Sequence, residues 1–181
     1  ILRASITNIK NFNSGRRAIG ASTITQQVAK NFLLSADYSI ERKIKEAILA
    51  LRIERTFSKD HIFELYLNEI YLGFNSYGVA AAALNYFNKP LSQITLAEAA
   101  YLAALPKGPN NYHPTRKRKQ AIIRRNWVLS QMFENGFITE NEFKKTKNEE
   151  LSVYASSGFD GAYAPYPVEE IRRELVQNYG Q

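Results

Sequence analysis

Apolar side chains recur along most of the chain every three to four residues, the period of an amphipathic helix. The pattern predicts helices over about Ile1–Asn11, Thr23–Leu34, Ile40–Phe57, Lys59–Leu72, Gly78–Tyr86, Leu96–Leu105, Arg116–Glu134, Glu140–Lys147 and Val168–Asn178, and hence an all-α fold. Start signals support it. Thr23 with Gln26, Thr95 with Glu98 and Thr139 with Glu142 each fit the capping box, in which a hydroxyl and a Glu or Gln three residues on satisfy two otherwise unpaired N–H groups.

The breaks in the pattern set the organisation. Gly15 and Gly20 bracket a basic turn with Arg16 and Arg17, and Pro106, Pro109 and Pro114 punctuate an irregular link; both are candidate active-site or mobile loops. From Leu151 to Pro167 the period gives way to Ser, Gly, Tyr and Pro, which predicts one domain over 1–150 and a boundary segment over 151–181.

Composition narrows the class. With 181 residues, 45% apolar and 12% aromatic, the chain can bury a substantial core. A net charge of +7 favours an anionic partner: nucleic acid, acidic headgroups or a pyrophosphate. The absence of cysteine removes disulfides and thiolate metal sites. No run of about 18 apolar residues exists to span a bilayer, and no signal peptide is visible. Ile1 enters the first helical pattern directly, so the sequence reads as starting inside a larger protein, with any membrane anchor upstream.

Four stretches could carry chemistry. Gly20–Asn31 sets Ser22 and Thr23 at a helix start, followed by Gln26, Gln27 and Lys30. Free N–H groups and the helix dipole could hold an oxyanion or sugar hydroxyl there, or the hydroxyls could merely cap. In the next helix Ile44, Ala47, Ile48 and Leu51 form one apolar stripe and Leu49 and Ile53 another, predicting a helix buried on both sides. Arg42 and Glu46 share a face with the second stripe, and Lys43 precedes Glu46 by three. Glu46 is therefore expected half-buried and ionised, either as an i,i+3/i+4 salt bridge or as a functional group.

In the third stretch, Ile62, Phe63, Leu65, Leu67 and Ile70 surround a helix and leave Glu64, Asn68 and Tyr71 as a polar line, expected to tie a central helix to its neighbours. The fourth is the basic run of Arg116, Lys117, Arg118, Lys119, Arg124 and Arg125, either a solvated face or, for one or two arginines, a pyrophosphate contact. Aromatic interleaving is confined to Trp127, which argues against nucleic acid. His61 and His113 have too few companions for a metal site. No Ser-x-x-Lys or Gly-rich phosphate loop occurs.

Taken together, these segments resemble the peptidoglycan glycosyltransferase family of class A penicillin-binding proteins and monofunctional transglycosylases. Gly20–Gln27 is similar to its Gly-x-Ser-Thr-Ile-Thr-Gln-Gln motif, Arg42–Glu46 to Arg-Lys-x-x-Glu, Lys59–Asn68 to Lys-x-x-Ile-Leu-Glu-x-Tyr-Leu-Asn, and Arg124–Met132 to Arg-Arg-x-x-Val-Leu-x-x-Met. Phe63 stands where Leu is usual, and His113 stands before Pro114 where Asn is common. The first motif of the family, Glu-Asp-x-x-Phe-x-x-His, would lie before Ile1, and with it the general base, so the stretch by itself is expected to be inactive.

The resemblance implies a lysozyme-like α-helical fold and a reaction in which the 4-hydroxyl of lipid II displaces the pyrophosphate of a growing glycan strand. It makes Glu46 the second acidic residue of the site. Ser22, Thr23, Gln26, Gln27, Lys30, Arg42 and Lys43 would hold lipid-linked sugars and pyrophosphate, and Arg124 or Arg125 would add charge on the donor side. Glu64, Tyr66 and Asn68 would be structural. The resemblance fixes no cofactor, and a divalent cation (Mg or Mn) near Glu46 is left open. The implied partners are lipid II, the glycan strand, a membrane surface bordered by Ile1, Leu2, Ile6, Ile9 and Phe12, and moenomycin-type inhibitors; nucleic acid is not among them. The implied location is the outer face of a bacterial cytoplasmic membrane. Tyr163–Glu170 resembles the exit toward a transpeptidase domain, favouring the bifunctional class. Two rivals remain: a basic noncatalytic helical module, and a lysozyme-like hydrolase with two carboxylates about 5 to 9 Å apart.

Overall fold

The computed structural model describes residues 22–32 and 39–154; the predicted helices over 1–11 and 168–178, the Arg16–Arg17 turn and the Tyr163–Glu170 stretch lie outside them. Seven α-helices follow in order: α1 (Ile24–Phe32), α2 (Ile40–Thr56), α3 (Lys59–Glu69), α4 (Val79–Phe87), α5 (Leu96–Ala104), α6 (Arg118–Glu134) and α7 (Glu140–Lys147). Short 3₁₀ turns lie at Leu91–Gln93, Leu105–Lys107 and Pro109–Asn111. Among the described residues no strand forms, only an isolated antiparallel bridge between Tyr71 and Tyr77. The fold is all-α, as the periodicity predicts.

The helix starts are fixed locally. Thr95 and Thr139 form complete capping boxes with Glu98 and Glu142. At α1, Gln26 N–H donates to the Thr23 hydroxyl (3.2 Å) while Thr23 N–H donates to the Gln26 side-chain oxygen (3.0 Å), the same reciprocal arrangement. Ser39 and Ser58 cap α2 and α3.

Two apolar clusters divide the packing. Val28, Ala29, Ala50, Ile53 and Ile62 join α1, α2 and α3, with Leu49, Leu65 and Tyr66 against them. Leu72, Ala82, Ala83, Tyr86, Phe87, Tyr101, Leu102, Leu105, Ala121 and Leu151 unite α4, α5, α6 and the segment after α7. In the second cluster the rings of Tyr86 and Tyr101 meet edge-on at 5.6 Å. Each buried hydroxyl has a partner: Tyr86 donates to the Leu72 carbonyl (2.7 Å) and Tyr101 to the Tyr112 carbonyl (2.8 Å). Burial raises both phenol pKa values.

Three expectations are corrected. α2 is not buried on both sides: Glu46, Ala50 and Ile53 face inward, while Ile44 (56% exposed), Ile48 (49%) and Leu51 (59%) face outward, because α1 and α3 cover only one side. α3 stops at Glu69 rather than Leu72, since Ile70 turns extended and a hairpin-like turn follows. The polar line of Glu64, Asn68 and Tyr71 is exposed, because α3 sinks only Ile62 fully into the core.

The turn after α3 runs through Gly73, Phe74 and Asn75, all at positive φ, and is pinned by Leu72 N–H to the Ser76 carbonyl and by the Asn85 amide to the Ser76 hydroxyl (both 2.9 Å). Gly78 closes it at φ +80°, where a Cβ would run into the main-chain carbonyl of Asn68. Only glycine meets both conditions without strain.

Candidate functional site

The start of α1 and the first turns of α2 enclose a buried carboxylate, Glu46. Glu46 lies on the inward side of α2 with 3% of its side chain exposed, deeper than the half-burial expected, because α1 packs across it. An ionised carboxylate at that depth needs a partner, and Lys43, one turn earlier, supplies it by pairing with Glu46 Oε1. The same ammonium donates to the Ser22 hydroxyl at 3.0 Å. Lys43 thus links the α1 start to the buried carboxylate. An ammonium has three donors; these contacts use two, and the 57% exposed lysine can offer the third to a ligand oxygen.

The other expected residues of this region surround that link. Thr23 and Gln26 form the α1 cap, Gln27 is half-buried on α1, and Lys30 is exposed near its end. Arg42 is half-buried one turn before Glu46. Ser22, Thr23, Gln26, Gln27, Lys30, Arg42, Lys43 and Glu46 therefore share the α1–α2 packing unit. The unit sets two side-chain amides and three cations around the carboxylate that Lys43 contacts.

A supporting contact escaped the sequence reasoning. Thr25, 4% exposed, donates to Glu54 Oε1 at 2.7 Å, and Lys59 pairs with the same oxygen at 3.1 Å. The Thr25 hydrogen bond, then Lys59, hold the Glu54 carboxyl below the usual carboxylate range. This chain of contacts fastens α1 to α2 and to the start of α3. The available signal was the run of three hydroxyls in Ser22-Thr23-Ile24-Thr25, of which the cap uses only that of Thr23.

Arg124 and Arg125 are not brought to this place: α6 packs on α5 and α7, whereas α1, α2 and α3 pack on one another. Arg125 departs furthest from its expected ligand role. It is 1% exposed and donates to the Glu149 carbonyl (2.8 Å), the Lys147 carbonyl (3.1 Å) and twice to Asn126 Oδ1 (3.0 and 2.9 Å). Burial, then Arg118, lower its pKa, while Glu149 opposes. Arg118 reaches the same segment through the Leu151 carbonyl (2.6 Å) and Glu150 (2.8 Å). Two members of the basic run are thus internal ties, and Arg116, Lys117 and Lys119 form the solvated face.

For a metal ion, the donor set at Glu46 does not fit. Among the described residues no group of three or more His, Asp or Glu could hold one, and the place beside the Glu46 carboxylate is taken by the Lys43 ammonium.

The family model described as Transglycosylase matches residues 1–133. The chain belongs to the transglycosylase family. The transglycosylase domain is 46% identical over 177 residues to penicillin-binding protein 1A of Rickettsia felis, covering 98% of the chain and 22% of that protein. It is 47% identical over 168 residues to penicillin-binding protein 1A of Escherichia coli, covering 93% of the chain and 20% of that protein. The crystal structure of penicillin-binding protein 1A from Haemophilus influenzae matches with a TM-score of 0.50 and 33% identity, over 92% of this chain and 22% of that one. The chain thus spans about a fifth of the length of the relatives it matches. All four motifs singled out in the sequence lie within the matched residues, and the transglycosylase domain sets two of them, at Ser22 and at Lys43–Glu46, in direct contact.

Proposed function

We infer that this transglycosylase domain polymerises peptidoglycan glycan strands. The 4-hydroxyl of lipid II attacks the anomeric carbon of the growing strand, the bond to the undecaprenyl pyrophosphate breaks, and the hydroxyl proton passes to a base outside the described residues. The observation that carries this reading is the buried Glu46 joined through Lys43 to Ser22 at the head of α1. A departing pyrophosphate needs fixed positive charge. Lys43, Arg42 and Lys30, with the N–H groups of α1, would supply it. Ser22, Thr23, Gln26 and Gln27 would hold sugar hydroxyls, and Glu46 would orient Lys43. Arg124 would meet anionic groups of the elongated substrate away from Glu46, and Arg125 would act as scaffold. Any divalent cation would bind through the pyrophosphate rather than through a protein cage. The domain extends at least to Tyr154, whose N–H donates to the Tyr86 carbonyl (2.7 Å), and a linker would follow.

A membrane surface fits the outward side of α2, where Ile44, Ile48 and Leu51 are exposed beside Arg52 and Arg55. No helix among the described residues is long and apolar enough to cross a membrane. On this reading the domain works at the outer face of the bacterial cytoplasmic membrane, where lipid II is presented, and moenomycin-type phosphoglycolipids would compete for the Lys43 region. Incubating the full-length protein with labelled lipid II tests the assignment. Strands that lengthen and stop on adding moenomycin support it; strands that are cut, or a protein that leaves lipid II unchanged, overturn it.

A further inference from the structure

Thr25 is a buried hydroxyl that neither the helix cap nor the proposed substrate contacts use. Thr23 already caps α1, accepting from Gln26 N–H at 3.2 Å. Thr25, the second residue of α1, is 4% exposed and instead donates to Glu54 Oε1 at 2.7 Å, near the end of α2. Lys59, the first residue of α3, places its ammonium 3.1 Å from the same oxygen. One carboxylate oxygen thus joins three helices.

The placement of α1 depends on such contacts. At nine residues it is shorter than the roughly 12 to 15 that an isolated helix needs, so its position comes from what it packs on. The apolar part of that packing is Val28 and Ala29 with Ala50 and Ile53. Apolar contact is non-directional and does not by itself fix how α1 is turned or shifted on α2. Two polar contacts do. Ser22 meets Lys43 at 3.0 Å, and three residues on, Thr25 meets Glu54. Their partners stand 11 positions apart on α2, three turns and about 16 Å along its axis. The second contact therefore acts as a lever on the first: a shift of Thr25 carries Ser22, Thr23 and the leading N–H groups of α1 away from Lys43.

We propose that Thr25 and Glu54 are positioning residues for the reaction, setting the head of α1 over Lys43 through their hydrogen bond. The proposal rests on the reading of the domain as a glycan polymerase. Thr25 and Glu54 act through Ser22 and Lys43, whose alignment governs how fixed charge meets the departing pyrophosphate. A displacement of about 1 Å in such an alignment costs up to about 10²-fold in rate.

The test measures initial rates against lipid II concentration for the full-length protein, together with Tm and hydrogen exchange along α1. Thr25→Val keeps the shape and removes the donor; kcat is expected to fall about tenfold with KM within about twofold. Thr25→Ser, which keeps the hydroxyl, is expected to restore kcat to within about twofold. Glu54→Ala removes the acceptor at a position 38% exposed, so it folds even where Thr25→Val does not, and is expected to match the Thr25→Val fall. The double variant should be no slower than either single one, because both break one contact. Amides at the head of α1 should exchange faster in both variants. Lys144→Gln, which breaks an exposed ion pair with Glu140 on α7, should leave kcat unchanged. Unaltered kcat in folded Thr25→Val and Glu54→Ala overturns the proposal, as do losses that multiply in the double variant. A loss that disappears well below the Tm of the variant also overturns it, making the contact a matter of stability alone, and so does a rise confined to KM. If the unaltered protein leaves lipid II unchanged, the reaction reading falls and the proposal with it; if it polymerises lipid II and both variants match it, the proposal alone falls.

Discussion

Replacing Arg125 by methionine keeps the aliphatic stem and removes the guanidinium that holds the end of α7 against α6. The Glu149 and Lys147 carbonyls then lose charge-assisted donors at 2.8 and 3.1 Å in a place with 1% exposure. Two such bonds contribute about 3 to 6 kcal/mol together, and relief of the buried charge offsets part of this, leaving about 2 to 4 kcal/mol. In a domain of this size that lowers Tm by about 4 to 16 °C. The assay is thermal and guanidinium unfolding followed by Trp127 emission, two residues away on α6. Arg125→Lys, which keeps the charge and loses the fork, is expected to fall between methionine and the unaltered chain. A Tm drop below about 1 °C for Arg125→Met, combined with weakened ligand binding by the folded protein, would refute the internal-tie assignment and restore Arg125 to the ligand contacts first expected.

The other perturbations probe the turns and the proline-rich link. Gly78→Ala combines a positive φ with a collision against the Asn68 carbonyl and should cost about 2 kcal/mol or more, whereas Gly136→Ala, at φ +74° with open space around its Cβ, should cost about 1 kcal/mol; equal effects in denaturant titrations would contradict the packing described for Gly78. Burial, helped by Arg116 and Lys117, lowers the pKa of His113, whose Nδ1 accepts from Thr115 N–H (3.3 Å) and Arg116 N–H (3.2 Å). The unfolded chain therefore takes up the proton more readily: the His113 contribution is complete above about pH 6.5, is lost as pH falls toward the lower folded value, and levels off below it. Melting curves between about pH 5 and 8 should show that slope, and His113→Asn should flatten it; an unchanged slope in the variant would contradict the assignment.

The sequence made much of this legible where local rules decide the outcome. The capping boxes at Thr23, Thr95 and Thr139 depend on residues three apart, and all three appear in the structure. The Lys43–Glu46 pair was readable for the same reason, being one helical turn apart. Long-range partners were not readable. Periodicity gave α2 two apolar faces but could not tell that nothing among the described residues covers Ile44, Ile48 and Leu51. The link from Lys43 to Ser22, 21 residues apart, and that from Thr25 to Glu54, 29 apart, needed the folded chain. So did the split in the basic run, where adjacent arginines part company: Arg124 lies over the Trp127 ring, and Arg125 donates to the Lys147 and Glu149 carbonyls. The end of α3 was missed because the apolar run continues through Leu72 while Gly73 and Gly78 set the turn.

The central claim is that the buried Glu46, with Lys43 and the head of α1, forms part of a glycan-polymerising centre. The most direct measurement is the rate of lipid II polymerisation by the full-length protein carrying Glu46→Gln, alongside its circular dichroism and Tm. The glutamine keeps the shape but leaves Lys43 without its counter-charge. The expected result is a fall in rate of about 10²-fold or more, the scale of losing one preorganised electrostatic contact, in a protein that remains folded. A folded Glu46→Gln protein that polymerises lipid II at the unaltered rate would contradict the account.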